Sequence, residues 1–158
     1  MGSKVYVEST IISYLAARPS SDPIVKAHQF ISEKWWSERR AKFDLVISEQ
    51  VILEIEAGDP EAAQRRVSLA RDIPIVRLNA DVEALASRLV RVGAVPATSI
   101  EDVTHIAAAT VHGAEYLITW NCRHIPNATV RNLIEKTCWE SGYVACIICT
   151  PEELMTDE

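Results

Sequence analysis

The sequence predicts an α/β protein, a three-layer α/β/α sandwich around a mostly parallel sheet of about five strands. Five short apolar runs alternate with segments of helical period along the 158 residues, which is the order that parallel sheets require. The run over 116–120 is almost wholly apolar, as expected for a strand that helices cover on both faces.

The chain begins with a predicted strand over 4–8 that ends in a carboxylate, Glu8. Ser9 and Thr10 follow as good N-cap residues for a helix over 11–17. An acid directly after a first strand has two interpretations. Glu8 is either a solvated acid that the helix dipole favours or part of a site at the carboxyl end of the strand.

A long amphipathic helix is predicted to begin at Asp22 and Pro23. Its expected apolar face comprises Ile24, Ala27, Ile31 and Trp35. Trp36 lies beside that face, and the tryptophan pair fits either core packing or a surface for a partner protein.

The second strand is predicted over 43–47, and Ser48 caps the helix that follows until Gly58. Glu54 lies inside this helix between apolar neighbours. A buried carboxylate needs a metal ion or a basic group as a partner, so Glu54 is a candidate site residue.

Another helix is predicted over 59–69, a third strand over 73–78, and a helix that Asn79 caps and Gly93 ends. The next helix, 98–111, stops before Gly113 and carries Asp102 near its start. Asp102 fits a capping box with the residues before it, in which the acid only satisfies free backbone N–H groups.

Asn121 follows the fourth strand, where ligand groups of open α/β sheets collect. The chain continues with a helix over 127–140 and a last strand over 144–149. Cys146 and Cys149 lie within that strand and fit buried core residues better than a redox or zinc pair. We expect a single domain over 1–150 and a short acidic tail over 151–158.

The composition is that of an ordinary globular protein, with 48% hydrophobic and 24% charged residues. A net charge of −6 argues against a general nucleic-acid binder but leaves room for a local basic groove. No apolar segment is long enough to span a bilayer and no secretory leader is evident, so we expect a cytoplasmic protein without a membrane partner.

Four oxygen-bearing side chains, Glu8, Glu54, Asp102 and Asn121, recur around the predicted strand ends. The segments that carry them are Val5–Thr10, Val51–Glu54, Glu101–Ala107 and Leu117–Asn121. In this order they resemble the PIN domain, and in particular the VapC-like toxin ribonucleases of bacterial toxin-antitoxin pairs. The resemblance spans most of the chain.

The resemblance implies an endoribonuclease that depends on Mg²⁺ or Mn²⁺. Glu54 and Asp102 would be the principal metal ligands, with Glu8 and Asn121 completing the shell. The other expected site residues are Thr10 and Thr119, which would hydrogen-bond the carboxylates, and Arg123 and His124, which would contact the substrate backbone. His105, one turn beyond Asp102, is interpreted as a packed helix residue rather than a catalyst.

The chain departs from the family pattern at two positions, since Asp is usual at Glu8 and frequent at Asn121. Asn121 removes one negative charge, so metal affinity should be weaker than in a site with four acids. Reduced activity, or a PIN-like module that binds RNA or protein without catalysis, is therefore the alternative to a nuclease. The resemblance also implies an RNA substrate, a small antitoxin partner and a homodimer.

Overall fold

The computed structural model describes residues 2–94, 100–121 and 128–156. Within these residues the chain forms five strands, β1 (Lys4–Val7), β2 (Asp44–Ser48), β3 (Ile75–Val76), β4 (Tyr116–Ile118) and β5 (Ile147–Cys149). All strand pairs are parallel, and the strand order is β3-β2-β1-β4-β5. The predicted α/β fold class is confirmed.

Seven α-helices and two short 3₁₀ helices lie in the described part of the chain. The α-helices are α1 (Ser9–Ala16), α2 (Pro23–Glu38), α3 (Glu49–Ile55), α4 (Pro60–Ala70), α5 (Ala80–Arg91), α6 (Ile100–Val111) and α7 (Ala128–Glu140). The 3₁₀ helices are Arg40–Lys42 and Pro151–Leu154. Among the described residues, every helix is too short or too polar to cross a bilayer.

The direction in which successive strands are added to the sheet changes once, after β3, and this change makes β1 and β4 neighbours. The chain moves from β1 to β2 and β3 in one direction, and then returns past β1 to β4 and β5. Because parallel crossovers are right-handed, α1 to α4 lie on one face of the sheet and α5 to α7 on the other. In open sheets of this kind, ligand groups collect at the carboxyl ends of the two strands where the direction changes, here β1 and β4.

The hydrophobic core is centred on β1, the middle strand of the sheet. Val5, Tyr6 and Val7 are fully buried, and Tyr6 lies in register with Val46 of β2 and Leu117 of β4. A strand buried on both faces needs an unbroken run of large apolar side chains. The sequence of β1 has such a run, which is why a strand could be predicted there.

Helix α2 buries a face that overlaps the predicted one only in part: Trp35 is buried as predicted, but Ile24 and Ala27 are exposed. Ile24 is 69% exposed, whereas Gln29, Ser32 and Trp35 are buried. Two of these polar side chains have partners: Gln29 Nε2 donates to the Arg18 carbonyl at 3.0 Å, and Ser32 Oγ accepts from the Trp120 indole N–H at 2.8 Å. These tertiary hydrogen bonds outweigh the simple apolar periodicity. The buried Trp35 indole N–H has no hydrogen-bond partner among the described residues.

The interpretation of the two tryptophans as a partner surface is wrong for Trp35. Its side chain is fully buried and stacks on Phe43 with ring centroids 5.8 Å apart. Trp36 is half-buried beneath the Arg40 guanidinium, which lies 4.0 Å from the ring centroid. The pair therefore anchors α2 rather than presenting an aromatic surface.

The last strand is shorter than predicted. Val144 is 76% exposed and precedes β5, whereas the Cys146 and Cys149 thiols are buried. Burial raises the pKa of the Cys146 thiol to about 12, so this thiol stays neutral, as expected for a core residue. Beyond β5, Leu154 also packs into the core.

Two helical leucines provide a test of this packing. Leu89 of α5 is fully buried and Leu53 of α3 is 63% exposed. Leu89→Ala should lower the free energy of unfolding by about 2–5 kcal/mol, because it leaves a cavity. Leu53→Ala, the matched control, should change it by less than about 0.5 kcal/mol in the same urea titration. Equal effects of the two variants would contradict this core.

Candidate active site

Glu8 lies at the carboxyl end of β1 and is the N-cap residue of α1. The sequence favoured Ser9 and Thr10 as caps, but the helix begins at Ser9 and the carboxylate performs the capping. Its Oε1 accepts hydrogen bonds from the Thr10 backbone N–H at 3.1 Å and the Thr119 hydroxyl at 2.6 Å. The Thr10 hydroxyl also donates to it. Glu8 is only 6% exposed, so it is not a solvated acid.

Glu54 reaches the same place from α3. Ser48, the last residue of β2, caps this helix by accepting from the Gln50 and Val51 backbone N–H groups at 3.1 and 3.4 Å. The cap fixes where α3 begins. Glu54, on the second turn, then accepts a hydrogen bond from Gln50 Nε2 at 3.0 Å.

A single hydroxyl group lies between the two carboxylates. Ser9 Oγ is 2.9 Å from Glu8 Oε2 and 2.5 Å from Glu54 Oε1. A hydroxyl has one proton and can donate to only one of two ionised carboxylates. The facing oxygens therefore form a negatively charged pair with one hydroxyl proton between them. A divalent cation, which prefers hard oxygen ligands, fits this pair.

Asp102 and Asn121 form a hydrogen-bonded pair. Asn121 Nδ2 donates to Asp102 Oδ1 at 3.1 Å. The Asn121 backbone N–H donates to Thr119 Oγ1 at 2.9 Å, and this same hydroxyl donates to Glu8. The pair is thus connected to Glu8 through Thr119, across the carboxyl ends of β1 and β4.

The structure places the four predicted ligands in two pairs, Glu8 with Glu54 and Asp102 with Asn121. Among the described residues, a close group of possible ligand atoms within 4.8 Å of one another comprises Glu8, Glu54 and His105. Asp102 does not belong to this close group around Glu8 and Glu54. Thr10 and Thr119 both contact a carboxylate. Two predicted substrate contacts, Arg123 and His124, lie outside the described residues, as do the residues that would cap α6.

The contact between His105 and the Glu54 carboxylate was not predicted from the sequence. The side chain is 3% exposed, as expected for a packed residue, but its Nε2 lies 2.9 and 3.1 Å from the two oxygens of Glu54. The available signal was its spacing from Asp102, since residues three apart share a helix face. Ser9 was predicted only as a cap, although it contacts both glutamates.

Opposing influences act on the pKa of Glu54. Burial raises the pKa, but the interaction with His105, followed by the hydrogen bonds from Ser9 and Gln50, lowers it by more. The net effect is to lower the pKa of Glu54 below the ordinary glutamate value, so Glu54 is ionised at neutral pH.

This shift predicts how stability depends on pH in metal-free protein. A depressed pKa in the folded state stabilises the protein above the unfolded value, about 4.3, and the contribution disappears as the pH falls through the folded value. In urea titrations with a chelator, the stability advantage of wild type over Glu54→Gln should therefore shrink on acidification. A difference that is constant or grows towards acid pH would contradict the direction of the shift.

Comparisons with known proteins extend this description. No protein-family model and no curated protein matches the sequence. Solved structures do match. VapC20 of Mycobacterium tuberculosis, a sarcin-ricin loop cleaving toxin, is 17% identical with a TM-score of 0.57, over 82% of this chain and 94% of that chain.

VapBC2 of Rickettsia felis, bound to a DNA fragment from its promoter, is another structural match. It is 15% identical with a TM-score of 0.57, over 78% of this chain and 93% of that chain. At such low identity the likeness concerns the fold and not the chemistry. The chain therefore has the PIN-like α/β fold that its motifs predicted, similar to that of VapC toxins.

Proposed function

We propose that this protein is an endoribonuclease dependent on Mg²⁺ or Mn²⁺. One observation carries the proposal: two carboxylates from distant parts of the chain, Glu8 and Glu54, lie on either side of the Ser9 hydroxyl at the point where the strand order reverses. Two carboxylates this close repel each other, and a bound cation would relieve that repulsion. Oxygen ligands favour Mg²⁺ or Mn²⁺ over softer metals.

The side chains have distinct roles in this proposal. Glu8 and Glu54 hold the metal together with Asp102. Asn121 already donates to Asp102 through its amide nitrogen, so its amide oxygen is the atom that it offers as a ligand. When bound, the metal supplies an activated water and stabilises negative charge on the scissile phosphate.

The remaining residues orient this set. Thr119 and Thr10 fix Glu8 through Oε1, which leaves Oε2 facing Ser9 and Glu54. Hydrogen bonds of this kind fix the orientation of a carboxylate that binds a metal. Arg123 and His124, which follow Asn121 in sequence, are proposed to contact the phosphate backbone of the substrate.

RNA is the proposed substrate class, because the similar fold of VapC20 belongs to a toxin that cleaves the sarcin-ricin loop. We extend the proposal to a cytoplasmic, homodimeric toxin of a type II toxin-antitoxin pair, with a small antitoxin protein as its partner. The structural similarity to VapBC2 supports that choice of partner.

The Asp102 and Asn121 pair also favours a second candidate function. An amide next to Asp102 contributes no negative charge, so the site is less acidic than one with a carboxylate at both positions. A PIN-like module that binds RNA or protein with weak or no catalysis is therefore the alternative. RNA binding by purified protein that cleaves no RNA with Mn²⁺ would support this alternative.

Isosteric substitutions test the proposed nuclease. Glu54→Gln and Asp102→Asn should each reduce Mn²⁺-dependent RNA cleavage by more than about 100-fold, beyond the loss usual for groups that only support a ligand. Their exposed helix neighbours supply controls: Glu56→Gln and Glu101→Gln should retain activity within about twofold. Cleavage that survives either of the first two substitutions at the wild-type rate would contradict the assignment of Glu54 and Asp102 as metal ligands.

A further inference from the structure

We propose that His105 is a positioning residue, held by Tyr6 with its proton on Nε2, that aims the Glu54 carboxylate at Glu8 and does not itself bind the metal. The hydrogen-bond arrangement stands on the geometry of this chain alone. Its consequence for the metal rests on the proposed function.

His105 is held from both sides of its ring. Nδ1 lies 2.6 Å from Tyr6 Oη, and Nε2 lies 2.9 and 3.1 Å from the oxygens of Glu54. The Tyr6 and His105 rings meet edge to face, with centroids 5.6 Å apart and planes at 63°. Tyr6 is fully buried and His105 nearly so, so water does not compete for these contacts.

The direction of the protons follows from Ser48. Its Oγ lies 2.6 Å from Tyr6 Oη and already accepts two backbone N–H groups as the cap of α3. The Ser48 proton is therefore available to donate to Tyr6. Tyr6 then donates its single proton to His105 Nδ1.

Because Ser48 donates to Tyr6 and Tyr6 donates to Nδ1, only one neutral tautomer of His105 is possible. If Nδ1 accepts, the proton of the neutral ring is on Nε2, and Nε2 donates to Glu54. Every donor in the row from Ser48 to Glu54 then has an acceptor.

The tautomer decides what kind of metal site this is. Glu8, Glu54 and His105 have ligand atoms close enough to hold one ion together, and two carboxylates with an imidazole would suit zinc. A protonated Nε2 has no lone pair for a metal. The metal ligands of the group are then the two carboxylates, and the imidazole is hydrogen-bonded to Glu54. A set of oxygen ligands of this kind suits Mg²⁺ or Mn²⁺.

Nitrogen NMR of the histidine rings tests the proposal directly. The chain has four histidines, and the His105 signals can be assigned by their loss in His105→Gln. In wild type near neutral pH we expect a protonated Nε2 and an unprotonated Nδ1, unchanged on addition of Mg²⁺. A protonated Nδ1, a doubly protonated ring, or a signal change that shows metal bound to Nε2 would overturn the proposal.

A pair of tyrosine variants provides the second measurement. Tyr6→Phe keeps the ring but removes the donor to Nδ1, so His105 should populate both tautomers and calorimetric Mn²⁺ affinity should fall by about 10- to 100-fold. Tyr14→Phe, the matched control, should change neither the His105 tautomer nor the Mn²⁺ affinity, since Tyr14 contacts the ring of His28 instead. An unaltered tautomer in Tyr6→Phe would contradict the role of Tyr6.

The two measurements separate this proposal from the proposed function. Wild-type protein that binds no Mn²⁺ but shows the expected His105 tautomer would contradict the metal-dependent nuclease and leave the hydrogen-bond arrangement intact. Protein that binds Mn²⁺ through the imidazole would contradict the positioning role and leave metal dependence intact.

Discussion

The approach of Glu8 to Glu54 is the interaction on which the rest of the site depends. Two carboxylates repel each other, and burial strengthens that repulsion because little water screens it. The protein offsets it with hydrogen bonds from outside the pair, from Thr10 and Thr119 to Glu8 and from Gln50 and His105 to Glu54. Between the acids there is a single hydroxyl, and a cation is the natural complement of that arrangement.

The fold produces this approach through ordinary structural rules. β1, which precedes Glu8, and β2, which precedes the helix of Glu54, are neighbouring parallel strands, so groups that follow both strands meet at one edge. Ser48 contributes twice, because its hydroxyl caps α3 and also contacts Tyr6. The position of the helix that carries Glu54 is thereby coupled to the imidazole that orients its carboxylate.

Much of the fold could be predicted from the sequence, because alternating apolar strands and capped helices are local signals. The placement of Glu8 and Glu54 near one sheet edge followed from the same signals together with the rule for strand ends. The buried face of α2 could not be predicted, since Gln29 and Ser32 are buried only through partners distant in the chain. The contacts of His105 were missed for the same reason: they depend on β1 and α3, which no local pattern relates to α6.

The closeness of the Glu8 and Glu54 carboxylates is the central claim, and a crystal grown with Mn²⁺ tests it most directly. Anomalous scattering from manganese locates the ion without assumptions about the protein. The peak should lie within coordination distance of oxygens from both Glu8 and Glu54, with His105 Nε2 still directed at Glu54. A peak away from both glutamates, or one bound directly by the imidazole, would contradict the claim.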